Sequence, residues 1–164
     1  MAFQVGGIGM FDFLKKEESE IAAPVDGLCI RLEDVPDEAF ASGKMGAGFA
    51  VEPTGEEVVS PVEGEIVMIP ETHHSFGIQT KSGEEVLVHI GLNTVLLLGE
   101  GFTVLAEQGS QVKPGDPVIR FDKALIESKG KNLTTIVTFT SGHVKKVELD
   151  CYGKEVKAGE ILAK

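Results

Sequence analysis

The stretch His74-Ser75-Phe76-Gly77-Ile78-Gln79-Thr80-Lys81-Ser82-Gly83-Glu84-Glu85-Val86-Leu87-Val88-His89-Ile90-Gly91 reads as one β-hairpin. Two runs rich in β-branched and aromatic residues flank Ser82-Gly83, a turn dipeptide. A two-residue turn there sets His89 opposite Phe76. His74, two residues from Phe76, then shares its face because strand side chains alternate. The two histidines become diagonal cross-strand neighbours with Cα atoms roughly 7–8 Å apart.

The rest of the chain continues the β reading. Apolar runs at 28–32, 48–51, 65–69, 76–80, 86–90, 102–106, 118–121 and 133–138 recur at the roughly 8–12-residue spacing of a sandwich or barrel. Glycines (20) and prolines (7) are scattered among them, as turns require. Two short helices are expected. One spans 36–43, with Pro36 near its start and Gly43 at its end. The other spans 122–129, with Asp122 as N-cap and Gly130 beyond it.

The sequence also repeats itself. Ala23-Pro24-Val25-Asp26-Gly27 returns as Ser60-Pro61-Val62-Glu63-Gly64, each before an apolar strand. Gln111-Val112-Lys113-Pro114-Gly115-Asp116 returns as Glu155-Val156-Lys157-Ala158-Gly159-Glu160. Two independent echoes of turn–strand units indicate a duplicated β architecture.

Composition narrows the function. The chain has 164 residues, 42% of them hydrophobic, enough for a real core. A net charge of −11 without a basic stripe excludes a nucleic-acid partner. No apolar run reaches the roughly 20 residues of a membrane span. The N-terminus lacks the basic flank and cleavage site of a secretory signal, so Cys29 and Cys151 are expected to be reduced thiols in a cytoplasmic protein. Residues 1–20 read as a flexible tail ending in the charge run Lys15-Lys16-Glu17-Glu18-Ser19-Glu20, and 21–164 as the domain. Met10, Phe11 and Leu14 could form an amphipathic turn, giving the tail at most a peripheral membrane contact.

Paired imidazoles admit three chemistries. A neutral imidazole is a nucleophile near pH 7, and a second can donate to a phosphoryl oxygen. Zinc between His74 and His89 is the second use, although zinc needs further ligands. General acid–base catalysis is the third.

Gly83 to Val95, G-E-E-V-L-V-H-I-G-L-N-T-V, resembles the active-site signature of the glucose-family enzyme IIA proteins of the bacterial phosphoenolpyruvate-dependent sugar phosphotransferase system. Pro70-Glu71-Thr72-His73-His74-Ser75-Phe76, Gly99-Glu100-Gly101-Phe102 and Val112-Lys113-Pro114-Gly115-Asp116 are similar to that family too, so the likeness runs from about Ile21 to Lys164. The resemblance implies an antiparallel β-sandwich with duplicated halves. It implies that His89 is phosphorylated at Nε2, that His74 stabilises the phosphoryl group, and that Thr72 orients His74. It implies HPr as donor, the cysteine of a IIB domain as acceptor, no required cofactor, and regulatory targets in some members. Phe40, Met45, Phe76, Leu87 and Val95 would then form an apolar docking ring, with Asp37 as its acid. The family usually has an aspartate where this chain has Asn93, a charge that helps receive an arginine of HPr. His73 and His143 are expected to be bystanders.

Other readings fit less well. Lysostaphin-type zinc peptidases use a similar scaffold but carry an H-x-H pair, which this chain lacks. A biotinyl- or lipoyl-carrier relative would need its lysine at a hairpin tip, whereas Asp122-Lys123-Ala124 opens an expected helix. A regulatory module that uses the histidine face only for docking is compatible with the phosphocarrier reading.

Overall fold

The structure, a computed structural model, describes residues 20–140 and 146–163. The expected tail, its amphipathic turn at Met10–Leu14 and His143 lie outside the described residues. The strands in chain order are β1 (Ile21–Ala22), β2 (Gly27–Arg31), β3 (Ala47–Pro53), β4 (Glu57–Val59), β5 (Gly64–Met68), β6 (Ser75–Gln79), β7 (Glu85–Ile90), β8 (Phe102–Val104), β9 (Gln111–Val112), β10 (Pro117–Phe121), β11 (Thr135–Phe139), β12 (Glu155–Val156) and β13 (Ile161–Ala163). Helices are short: α1 (Glu38–Ala41) and α2 (Lys123–Ser128), with 3-10 turns at Leu32–Asp34 and Thr94–Leu97. The protein is an all-β antiparallel sandwich, as the sequence led us to expect.

Eight strands form the large sheet, in the order β12-β2-β3-β11-β7-β6-β5-β9, and every pairing in it is antiparallel. A second sheet, β4-β10-β8, packs against it. The core between them takes Phe49, Val51, Phe76, Ile78, Val86, Val88 and Ile90 from the large sheet, and Val58, Val118, Ile119 and Phe121 from the small one. Full burial of each such side chain contributes about 1.5–3 kcal/mol.

The sequence echoes become a pseudo-two-fold relation. Gly27 and Leu28 pair with Val156 and Glu155, and Gly64 and Glu65 pair with Val112 and Gln111. Each first-echo segment therefore pairs with a second-echo segment. The hydrogen bonds repeat as well. Gly115 N–H donates to Ser60 O and Gly159 N–H to Ala23 O, both at 2.9 Å. Asp116 and Glu160 each accept the amide three residues back, from Lys113 and Lys157. The two turns meet back to back, Gly115 against Gly159.

Both helices are shorter than the sequence suggested, and each starts one residue after its acidic N-cap. Asp37 accepts the Ala39 amide at 3.0 Å, and Asp122 accepts the Leu125 amide at 3.1 Å. Strands β4 and β1 lack a distinct alternation and were not foreseen, whereas β13 is the apolar strand expected after the second echo's turn.

The hairpin itself needs a correction. Its loop has three residues, Lys81-Ser82-Gly83, because Gly83 adopts φ 93 and its N–H donates to Thr80 O, while Thr80 N–H donates to Glu84 O, both at 2.9 Å. A left-handed glycine closing such a loop adds one residue relative to the two-residue turn. The register shifts by one: His89 pairs with Ser75, and Phe76 with Val88. A one-residue slip moves each side chain to the other face. Phe76 is therefore fully buried in the main core, on the face opposite His89.

Candidate functional site

His89 lies near the C-terminal end of β7, a strand flanked on both sides in the large sheet. Alternation puts Val86, Val88 and Ile90 into the core and leaves Leu87 and His89 on the outer face. Ile136, Ala50 and Ile30 extend the line of His89 across β11, β3 and β2. A second small core forms on this line. Leu32, Val35 and Phe40, from the segment containing α1, pack on Ala50, Ile136 and Leu92, with Ile30 at the edge. That segment covers the outer face beside His89 and brings the Phe40 ring to 5.2 Å from the imidazole, tilted by 57°.

His74 arrives by a different route from the expected one. Strand β6 begins at Ser75, so its alternation does not govern His74. The chain reverses at His73, which adopts the left-handed φ of 57. His74 O still accepts the Ile90 amide at 2.7 Å, which anchors the residue beside the end of β7. Its ring stands edge-on to His89, with centroids 4.9 Å apart and planes at 82°. The two histidines meet, as the sequence suggested, but not through the register inferred.

Each ring is held by one nitrogen. His89 Nδ1 lies 2.8 Å from Gly91 O, and a carbonyl can only accept, so Nδ1 carries the proton and donates. That leaves the Nε2 lone pair of the neutral ring free. His74 Nδ1 lies 2.7 Å from Thr72 Oγ1. The hydroxyl can donate to Nδ1, which puts the His74 proton on Nε2. Burial lowers the pKa of both rings, that of His74 to about 4 with a further push from His89. For His89 the Gly91 carbonyl and the Asp37 carboxylate oppose burial without overcoming it. At neutral pH the pair is uncharged: one Nε2 is a nucleophile and the other is able to donate.

Gly91 was missed as a site residue, although the Ile90-Gly91 step was in view. Its carbonyl holds His89 because the backbone there takes φ 84 and passes close to Thr94 and Asn132 O, a place that admits no Cβ. Asn93 follows at φ 62, a conformation that asparagine tolerates.

The expected docking residues divide. Phe40 is buried but touches the His89 ring, Leu87 is half-buried on the outer face, and Met45 and Val95 are exposed. Asp37 is half-buried at the α1 N-cap and acts electrostatically on His89. Phe76 offers no surface, because the shifted register faces it inward. Leu96 and Leu98, exposed at 66% and 80% beside Val95, form an apolar edge that went unremarked in the sequence. Among the described residues no cluster of three or more His, Cys, Asp or Glu could hold a metal. His74 and His89 supply two imidazoles, short of the three or four protein ligands zinc takes. No helix among the described residues is long and apolar enough to cross a membrane.

The sequence profile of the phosphoenolpyruvate-dependent sugar phosphotransferase system EIIA 1 family matches residues 19–144. This chain belongs to that family. The glucose-specific EIIA component of Haemophilus influenzae is 43% identical over 162 residues, covering 95% of this chain and 94% of the relative. That of Bacillus cereus is 46% identical over 127 residues, 77% of each chain. Among solved structures, the glucose permease IIA of Mycoplasma capricolum superposes with a TM-score of 0.82 at 40% identity, covering 88% of this chain and 93% of that one. The protein is thus a phosphotransferase component of a sugar phosphotransferase system.

Proposed function

We propose that residues 21–164 form an EIIA domain in which His89 carries a phosphoryl group between HPr and the cysteine of a IIB domain. The observation that carries this reading is the opposite anchoring of the two rings: His89 by a carbonyl, His74 by a hydroxyl, with ring centroids 4.9 Å apart. The Nε2 lone pair of His89 attacks phosphorus, and the P–N bond forms as the bond to the donor breaks. His74 Nε2–H donates to a phosphoryl oxygen and offsets the charge built up in the transition state. Thr72 keeps that proton on Nε2. The Gly91 carbonyl stabilises the Nδ1–H of His89 as the phosphorylated ring becomes electron-poor.

Partner docking falls to the apolar surface beside the pair, with Phe40 as its floor and Met45, Leu87 and Val95 as its rim. Asp37 supplies negative charge for a basic partner. Asn93 removes one such charge, so HPr relies more on the apolar contacts. The relatives named for glucose support glucose as the sugar of the system served. Cytoplasmic placement follows from the same reading. No cofactor enters the transfer. A zinc ion between His74 and His89 would need a carboxylate brought by a partner.

The test is phosphorylation by phosphoenolpyruvate, enzyme I and HPr. Wild type should take up acid-labile phosphate, and His89→Ala should take up none. Label persisting in His89→Ala would sink the assignment.

A further inference from the structure

We propose that Cys29 and Cys151 are a vicinal thiol pair that a low-molecular-weight disulfide closes into a reversible cross-link between β2 and the turn preceding β12. Both cysteines are free thiols, and their Sγ atoms lie 3.1 Å apart although 122 positions separate them in the chain. Forming the bond requires the sulfurs to close by roughly 1 Å, to about 2.05 Å.

The backbone around the pair is already fixed. Gly153 N–H donates to Cys29 O at 2.8 Å, and Cys29 N–H donates to Lys154 O at 3.0 Å. Lys154 N–H returns to Cys151 O at 2.9 Å and closes the turn that carries Cys151. Next along β2, the Arg31 guanidinium lies 4.2 Å over the Tyr152 ring and pairs with Glu148 at 3.2 Å. The Tyr152 hydroxyl donates to Val147 O. The Cys151 turn is therefore clamped from both sides against the strand that holds Cys29. The bonds of Cys29 with the 153–154 segment match those of Ile66 with Gly109 and Ser110 in the other half of the duplication, where no sulfur is present. Only this copy of the repeat can be cross-linked.

The two thiols are unequal. Cys29 is fully buried, and burial raises its pKa strongly, whereas Cys151 is half-buried. Cys151 thus meets the oxidant first. Its thiolate attacks one sulfur of the small disulfide RSSR, forming a mixed disulfide and releasing RS⁻. Cys29 then attacks Cys151 Sγ. The protein disulfide forms, the second RS⁻ leaves and takes up the Cys29 proton. In sum, two protein thiols are oxidised to one disulfide and RSSR is reduced to two RSH. Cys29 faces the main core while Ile30, its neighbour, faces the small core on the His89 line, so closure occurs on the far side of the sheet from the histidines.

The experiment treats the reduced full chain with oxidised glutathione and reads intact mass, non-reducing peptide maps and melting temperature. The expected product is a monomer that has lost two hydrogens, with the Cys29 and Cys151 peptides joined. Its melting temperature should rise on the order of 10 °C and return on addition of dithiothreitol. Phosphate uptake at His89 should be unchanged. Cys29→Ala should instead accumulate glutathione on Cys151, and Cys151→Ser should react far more slowly than wild type. Wild type that stays reduced, or that retains glutathione on Cys151 without closing, overturns the proposal. Equally fast glutathionylation of Cys29 in Cys151→Ser overturns the order of attack.

Discussion

Replacing Thr72 with valine probes the least conspicuous part of the site, because it keeps the side-chain shape and removes one hydroxyl. The bond lost is the 2.7 Å contact to His74 Nδ1. A neutral hydrogen bond of this kind is worth about 1 kcal/mol net, with a range of about 0.5–1.5. At 1.36 kcal/mol per tenfold, that is about a five-fold change in rate if the whole bond acts in the transition state. The effect should be lopsided. His89 keeps its anchor on Gly91 in Thr72→Val, so acceptance of phosphate from HPr should stay near wild type. Onward transfer to the IIB cysteine depends on His74 presenting Nε2–H, and it should slow by about three- to ten-fold. Rapid-quench measurement of both half-reactions separates the two. The ¹⁵N shifts of the His74 ring give a readout that mere loss of packing would not move: the Nε2–H tautomer should dominate in wild type and share with Nδ1–H in the variant. Onward transfer at the wild-type rate with an unchanged tautomer would refute the orienting role. Loss of acceptance as deep as in His89→Ala would refute the division of labour between the rings.

Two more outcomes follow from the same geometry. His74 has a folded pKa of about 4 against 6.5 for the free side chain, so the unfolded chain binds its proton first as pH falls. Stability is therefore unaffected by this group above about pH 6.5 and is lost between there and about pH 4. Allowing for partial hydration, the loss is on the order of 1–2 kcal/mol, and His89 acts in the same direction. Urea unfolding at pH 7.5 and pH 4.5 should show a smaller loss in His74→Gln than in wild type; an equal loss in both would contradict the neutral His74. Gly91→Ala would force a Cβ to 2.5 Å from Thr94 Cγ2 and 2.9 Å from Asn132 O, at φ 84. Strain and overpacking together should cost about 2–4 kcal/mol, lowering the melting temperature on the order of 5–10 °C. A melting curve that superposes on wild type would show that the backbone there can relax.

The duplication was the most legible part of the chain, because each echo joins a hydrogen-bonding turn to a strand and both features leave residue-level marks. Its arrangement was not legible. Nothing local says that Gly27 pairs with Val156 and Gly64 with Val112. The histidine pair was visible as well, since the sequence sets both imidazoles at the open end of one expected hairpin. Its register was misread because Ser82-Gly83 suits a two-residue turn, while the Thr80 side chain, which accepts the Glu84 amide, helps select the longer loop. That single residue decides why Phe76 is core and not docking surface. Phe40 belongs beside His89 for a reason the hairpin does not contain: its segment crosses the outer face of β2, β3 and β11 to form a core of its own. The carbonyl of Gly91 could have been inferred from glycine following the strand that bears His89, but only a known backbone angle shows which way it points.

Strands β1 and β13 pair antiparallel, Ile21 with Ala163 and Ala22 with Ile161. The chain thus enters and leaves the fold at one place. A unit built this way is attached like a pendant, and covalent neighbours can be added or removed there without threading a new connection across the sandwich. With entry and exit on one edge, the domain can be carried by a tether or stand alone, and the face that bears His74 and His89 is presented in the same way in either case.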